Sequence, residues 1–201
     1  MILNHLWGIY THPKEEWKSI DTKHESYFYA LSHIMIIALI PSGMAYYGSA
    51  YLGWDIGAGS TADTIRLTQQ SAMAMSVAMY AGLVAGVVAL AVLIHELAQT
   101  FDATPNYTQS LEIAAYTATP LFMAGFGAFY PQLWFLMSVV LLGLSYSVYL
   151  LYTGVPIMLH IPEEKGFIFS SSVVTCGLVL MVILMAGSVI LWSIGFGPQY
   201  M

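Results

Sequence analysis

The chain alternates between short clusters of charge and long apolar runs. Charges gather at Lys14 to Glu25, Asp55 to Arg66, Glu96 to Glu112 and Glu163 to Lys165. Between and after them lie apolar stretches at about Tyr27–Tyr51, Ala72–Ile94, Leu111–Tyr130, Leu133–Tyr152 and Phe167–Trp192. A helix needs about 20 such residues to cross the hydrocarbon of a bilayer. The pattern predicts an all-α polytopic membrane protein whose five transmembrane helices form one domain over residues 27–195. Residues 1–26 precede it as a cytoplasmic interfacial segment, and 196–201 follow as a short tail.

Within the N-terminal segment, Pro13 suits the first position of a helix, and Glu15 and Glu16 favour the positive end of its dipole. Trp17 and Ile20 then share one face, which predicts short interfacial helices lying on the cytoplasmic leaflet. In the first span His33 is the lone ionisable group; an intramembrane imidazole is expected to bond to a neighbouring helix. Pro41-Ser42-Gly43 predicts a kink, and Tyr46, Tyr47, Tyr51 and Trp54 an aromatic belt at the far interface. The loop from Asp55 to Gln70 reads as a solvated connector. The second span carries Ala74, Ala78, Gly82 and Gly86 at four-residue intervals, flanked by Ala81, Ala85 and Ala89. Such a face packs closely, inside the bundle or between protomers of a homo-oligomer.

The third and fourth runs hold the most distinctive sequence. No Asp, Glu, Lys or Arg occurs between Glu112 and Glu163, and Tyr130-Pro131 falls where a turn would make the two runs a hairpin. Tyr116-Thr117-Ala118-Thr119-Pro120 is echoed by Tyr152-Thr153-Gly154-Val155-Pro156. Each proline leaves a helix carbonyl without its donor, which lipid cannot replace. The neighbouring Thr hydroxyls and Tyr phenols are the expected partners. Tyr116, Thr117, Thr119, Pro120, Tyr152, Thr153 and Pro156 are therefore the candidate binding residues. Ser170-Ser171-Ser172, opening the last helix, can bond back to carbonyls or across to a neighbour.

Composition strengthens the membrane reading: 58% of residues are hydrophobic and 8% charged, against about 25% charged in soluble domains. Lys14, Lys18, Lys23 and Lys165 fall on one side of five spans and Arg66 on the other. The positive-inside rule then places the N-terminus in the cytoplasm and the C-terminus opposite. Asp55, Asp63 and Arg66 are the only charges left on the far side. The acidic near face repels nucleic acid and suits a basic partner or a cation.

The first 26 residues lack the basic head and apolar core of a cleavable signal, so the first span is expected to direct insertion. Cys176, the only cysteine, excludes an intrachain disulfide and reads as a packed thiol. His95, Glu96, Asp102, Glu112, His160, Glu163 and Glu164 map to the cytoplasmic side and are the candidate ligands for a divalent transition metal. His95-Glu96 lacks the second histidine of a His-Glu-x-x-His metalloprotease. No other cofactor is predicted, and no complete catalytic constellation is present.

Leu111-Glu112-Ile113-Ala114-Ala115-Tyr116-Thr117-Ala118-Thr119-Pro120-Leu121-Phe122, Leu150-Leu151-Tyr152-Thr153-Gly154-Val155-Pro156 and Phe167-Ile168-Phe169-Ser170-Ser171-Ser172 together resemble the bacterial branch of the Yip family. His5-Leu6-Trp7-Gly8-Ile9-Tyr10-Thr11-His12-Pro13 is similar to the opening of bacterial members. The family takes its name from eukaryotic Rab/Ypt-GTPase-interacting relatives. The resemblance implies five helices, a cytoplasmic N-terminus and residence in the bacterial inner membrane. It does not carry over GTPase binding, because the long N-terminal segment of eukaryotic members has no counterpart here. The function expected is non-enzymatic: organising partners or lipids at the membrane. The alternatives are a small transporter or channel built on the proline-broken helices, and a membrane metalloprotein using the cytoplasmic His and carboxylate groups.

Overall fold

The computed structural model of the chain describes residues 5–23, 26–56 and 63–201. Seven α-helices are present among them: α1 (Leu6–Thr11), α2 (Pro13–Lys23), α3 (Tyr27–Tyr47), α4 (Gln69–Thr100), α5 (Tyr107–Met123), α6 (Leu133–Met158) and α7 (Glu163–Leu191). Short π-helical turns extend α3 to Leu52 and α7 to Phe196. With those extensions, α3, α4, α6 and α7 are each long and apolar enough to cross a membrane.

The run expected to span from Leu111 to Tyr130 is built differently. Its helix α5 begins earlier, at Tyr107, has 17 residues, and passes into a 3-10 helix over Ala124–Phe129. Asn106 sets that start: its side chain accepts from the Gln109 amide while the Gln109 side chain accepts from the Asn106 amide. Glu112 is thus not a helix-end charge. It lies in the second turn and is 1% exposed.

Ring contacts fix the ends of this segment. Tyr107 lies 6.4 Å from Tyr27 and 5.4 Å from His95, beside the start of α3 and the end of α4. Phe129 lies 6.1 Å from Tyr47, at the other end of α3. The segment therefore runs the length of the bundle, and its turn into α6 falls at Tyr130 and Pro131.

The described flanks of the polar connection after α3 are paired instead of forming the expected solvated loop. Strands β1 (Trp54–Ile56) and β2 (Asp63–Ile65) pair antiparallel, with Trp54 opposite Ile65. Residues 57–62 of the connector lie outside the described residues. The C-terminal tail joins this cap: Leu67 bridges to Tyr200, and the Thr68 amide donates to the Gln199 carbonyl at 2.8 Å. Backbone groups at the ends of helices need partners, and here other loops supply them.

Helix α5 is the axis of the molecule. Leu111 through Thr117 are buried without interruption, as are Thr119, Pro120 and Phe122. A helix buried on all sides must be sheathed by others. Close approach is permitted by glycines at three points. A Cβ on Gly143 of α6 would stand 3.0 Å from the Pro120 carbonyl oxygen, one on Gly125 would stand 2.5 Å from Pro41, and one on Gly48 would stand 3.2 Å from the Ala128 carbonyl oxygen. Helices α3, α5 and α6 continue through Pro41, Pro120 and Pro156.

The small-residue face of α4 divides. Gly82 and Gly86 receive Leu184 of α7, while Ala74, Ala78, Ala81 and Ala85 are exposed. Gly143→Leu should lower stability by about 1–3 kcal/mol through overpacking. Gly187, with nothing within 4 Å of a Cβ, should accept Leu unchanged. Thermal unfolding of both variants in detergent checks the contrast.

Candidate functional site

Polar side chains collect on the inner faces of α3 and α5. His33 is 1% exposed, and its Nε2 lies 2.9 Å from the Thr119 hydroxyl. That hydroxyl donates to the Ala115 carbonyl at 2.9 Å. Its single hydrogen is then used, so the bond between the two side chains has His33 Nε2–H donating. The bond across helices expected of an intramembrane imidazole is present.

Tyr116, fully buried, sits at the centre. Its ring is 4.8 Å from that of His33, 5.7 Å from His5 and 6.3 Å from Trp17. Glu112 lies one helical turn before Tyr116 and Thr119 one turn after it, so the three share a face of α5.

The remaining groups come from the N-terminal helices. Pro13 opens α2, and Glu15 and Glu16 occupy its first turn as the sequence implies. Helix α2 does not rest its apolar face in lipid, however. Ile9, Trp17 and Ile20 are fully buried against the bundle, while Lys14, Glu15, Lys18 and Lys23 face outward. His5 Nδ1 is hydrogen-bonded to Glu16 Oε1, closing α1 onto α2. The Tyr146 hydroxyl of α6 donates to the Ile9 carbonyl at 2.9 Å, and Tyr10 stacks on Tyr146 at 5.4 Å.

Trp17 joins the two repeated pentapeptides. Its edge-on contact with Tyr116 reaches the first copy, and its indole fills the space where a Cβ on Gly154 of the second would stand, 2.4 Å away. The first copy contributes a ring and the second a gap. The rest of the second copy faces α7: the Tyr152 and Ser171 hydroxyls lie 2.7 Å apart, and Pro156 packs against Gly166.

The family model for the Yip1 domain matches residues 7–184. The chain is also 33% identical over 195 residues to inner membrane protein YohC of Escherichia coli strain K12, covering 96% of this chain and 98% of that one. The same identity and coverage hold for YohC of Escherichia coli O6:H1. This chain belongs to the Yip1 family. Together with the four long apolar helices, the match makes it an integral membrane protein of the family's bacterial branch. No solved structure matches it.

In this Yip1 protein the bonded threonines of the two pentapeptides do not cover the carbonyls that the prolines free, those of Tyr116 and Tyr152. Thr119 bonds the Ala115 carbonyl and Thr153 the Tyr149 carbonyl. The reason is geometric: a helical Ser or Thr hydroxyl reaches its own fourth residue back, one position before the freed carbonyl for Thr119 and three before it for Thr153. Thr117, 6% exposed, has a hydroxyl with no hydrogen-bond partner among the described residues. The serine run does bond both ways: Ser171 and Ser172 to carbonyls one turn back, Ser170 across to the Leu151 carbonyl at 3.5 Å.

The candidate metal ligands of the sequence are scattered. Among the described residues no three His, Cys, Asp or Glu side chains gather as a metal would need. His160 bonds Asp21 at 3.0 Å, and Asp102 bonds Lys165 at 2.9 Å. His95 and Asp102 line one hollow with Gln99 and Thr104, Glu112 is enclosed in α5, and Glu96, Glu163 and Glu164 are exposed. His5 and Glu16 went unrecognised as site residues. Their one signal was the apolar stripe of Trp17 and Ile20, which needed a surface to cover.

Two outcomes follow from these contacts. Thr119→Val keeps shape but strands the buried His33 N–H, and should cost about 0.6–1.7 kcal/mol in unfolding measured within bilayers. The Lys165 ammonium beside Asp102 holds its carboxyl below the usual carboxylate range. What this pair adds to stability is present above that range and is lost as pH falls through the lowered value. Lys165→Gln should move the Asp102 titration, followed by carboxyl NMR, upward toward the ordinary value.

Proposed function

We propose that this Yip1-family protein is a non-enzymatic five-span protein of the inner membrane that organises lipids or a membrane partner. In this reading α5 with its 3-10 continuation is the fifth crossing. Lys14, Lys18, Lys23 and Lys165 gather at the end that carries α1 and α2, with Arg66 at the other, supporting a cytoplasmic N-terminus and a C-terminus on the opposite side.

The observation that carries the reading is the far half of α7. Met181 through Met185 are all exposed, as are Val189, Ile190, Leu191 and Trp192. Consecutive exposed residues span every face of a helix. This half leans on its own chain chiefly through Leu184 at Gly82 and Gly86, so the remainder is available to lipid or another transmembrane segment. Site-specific photo-crosslinking in native membranes tests it. A probe at Val182 or Ile190 should give adducts of defined mass, lipid or protein, while one at buried Ile34 gives none. Identical background at all three positions would discard the proposal.

A second reading, proton-linked transport of a small solute, is favoured by the buried His33, Glu112 and Tyr116, since ionisable groups at such depth commonly mark proton or solute paths. The close α5–α6 contact at Gly143 means that such a path requires a different packing of these helices. Reconstituted liposomes carrying a pH dye should then show flux that falls at least tenfold in His33→Ala. Flux no greater than in empty liposomes removes this reading.

A further inference from the structure

The N-terminal helices close one side of the polar interior, and their attachment has the marks of a reversible contact. Trp17 is fully buried, yet its indole N–H has no acceptor among the described residues, and one carboxylate oxygen of Asp21 is likewise buried without a donor among them. The rim of the contact is a polar latch, the Asp21–His160 pair. His160 holds that position at φ +53, a left-handed conformation for which glycine is the usual choice at a helix C-terminus. Use of histidine there trades backbone ease for a side chain that reaches α2. The outward face of α2 already carries Lys14, Glu15 and Lys18, so it can meet water or headgroups without rearrangement.

We propose that α1–α2 is a displaceable wall: seated, with Trp17 in the Gly154 notch and Asp21 on His160, it seals Tyr116 and the groups behind it; unseated, it leaves the α5–α6 face open. This goes beyond the organising role and does not depend on it. Loss of the α7 reading would leave the wall untouched, and the reverse holds. The latch is one of two polar holds on the seated position, the other being the Tyr146 hydroxyl on the Ile9 carbonyl.

The lone native cysteine makes the test clean. Spin labels are placed at two exposed sites, Lys14→Cys and Glu164→Cys, in a Cys176→Ser background in lipid nanodiscs. Electron–electron distance measurement then reports the seat of α2 relative to α7. Asp21→Asn should raise the population of a longer distance by up to about fivefold, the scale of one partly exposed polar contact. Gly154→Leu, which blocks the notch, should make the longer distance dominant. Retention of the wild-type distance in both variants, in protein that remains monodisperse, overturns the proposal. A thiol-accessibility arm separates opening from general loosening. Tyr116→Cys, at the residue that Trp17 and His5 cover, should react faster in the Asp21→Asn background, while Ala91→Cys, buried on α4, stays protected. An unchanged rate at position 116, or equal acceleration at both, also overturns it.

Discussion

A short helix bearing a carboxylate, a phenol and hydroxyls can occupy a membrane interior only when protein covers it on every side. Helix α5 imposes that constraint on the rest of the chain. Exposed to lipid, each unmatched polar group would cost several kcal/mol. The surrounding helices α3, α4 and α6 supply most of the sheath, and α1–α2 complete it beside Tyr116. The glycines are spent where the sheath must come closest: Gly143 at the Pro120 carbonyl, Gly125 at Pro41, Gly154 under Trp17. Prolines and glycines thus work in pairs. A proline removes one backbone donor, and the glycine facing it admits the neighbour whose bulk keeps the site dry.

That arrangement explains why the two pentapeptides resemble one another without sharing a role. In the first copy, Ala118 and Thr119 accompany a tyrosine that faces inward to His5, His33 and Trp17. In the second, glycine takes the middle position, and the space it leaves holds an aromatic ring from a third element. The recurring Tyr and Pro mark helices that each run on through a proline. The differing middle residues decide what each site receives.

Much of the architecture was legible from spacing alone. Uncharged runs of about 20 residues permit few structures other than membrane helices, so α3, α4, α6 and α7 follow directly, as does the turn at Tyr130-Pro131. The boundary of α5 was misread because hydropathy begins at Leu111, whereas the helix begins where Asn106 and Gln109 cap it. Capping is a matter of hydrogen bonds, and a hydropathy window cannot sense it. The pairing of 54–56 with 63–65 was hidden for a related reason, since short polar strands carry no periodic signal. At the candidate site, Tyr116 and Thr119 could be selected from the sequence because they stand beside a proline within an apolar run. His5 and Glu16 could not. Their position depends on α2 turning its apolar stripe toward α6 instead of lipid, a choice between two apolar environments that composition does not distinguish.

The same choice bears on how the molecule is divided. Soluble proteins place their most apolar surface inside, but lipid removes that incentive and leaves polar contacts and close packing to order the helices. Here α5, which carries a buried carboxylate and buried hydroxyls, is the most enclosed, and α7, uncharged after Lys165, is the most exposed. The N-terminal helices stand between these extremes, apolar toward the bundle and charged outward. A segment with both faces satisfied in two different surroundings is held by shape and a few polar bonds, not by hydropathy. Its seat at Gly154 and His160 is accordingly the part of this fold most readily altered without disturbing the spans.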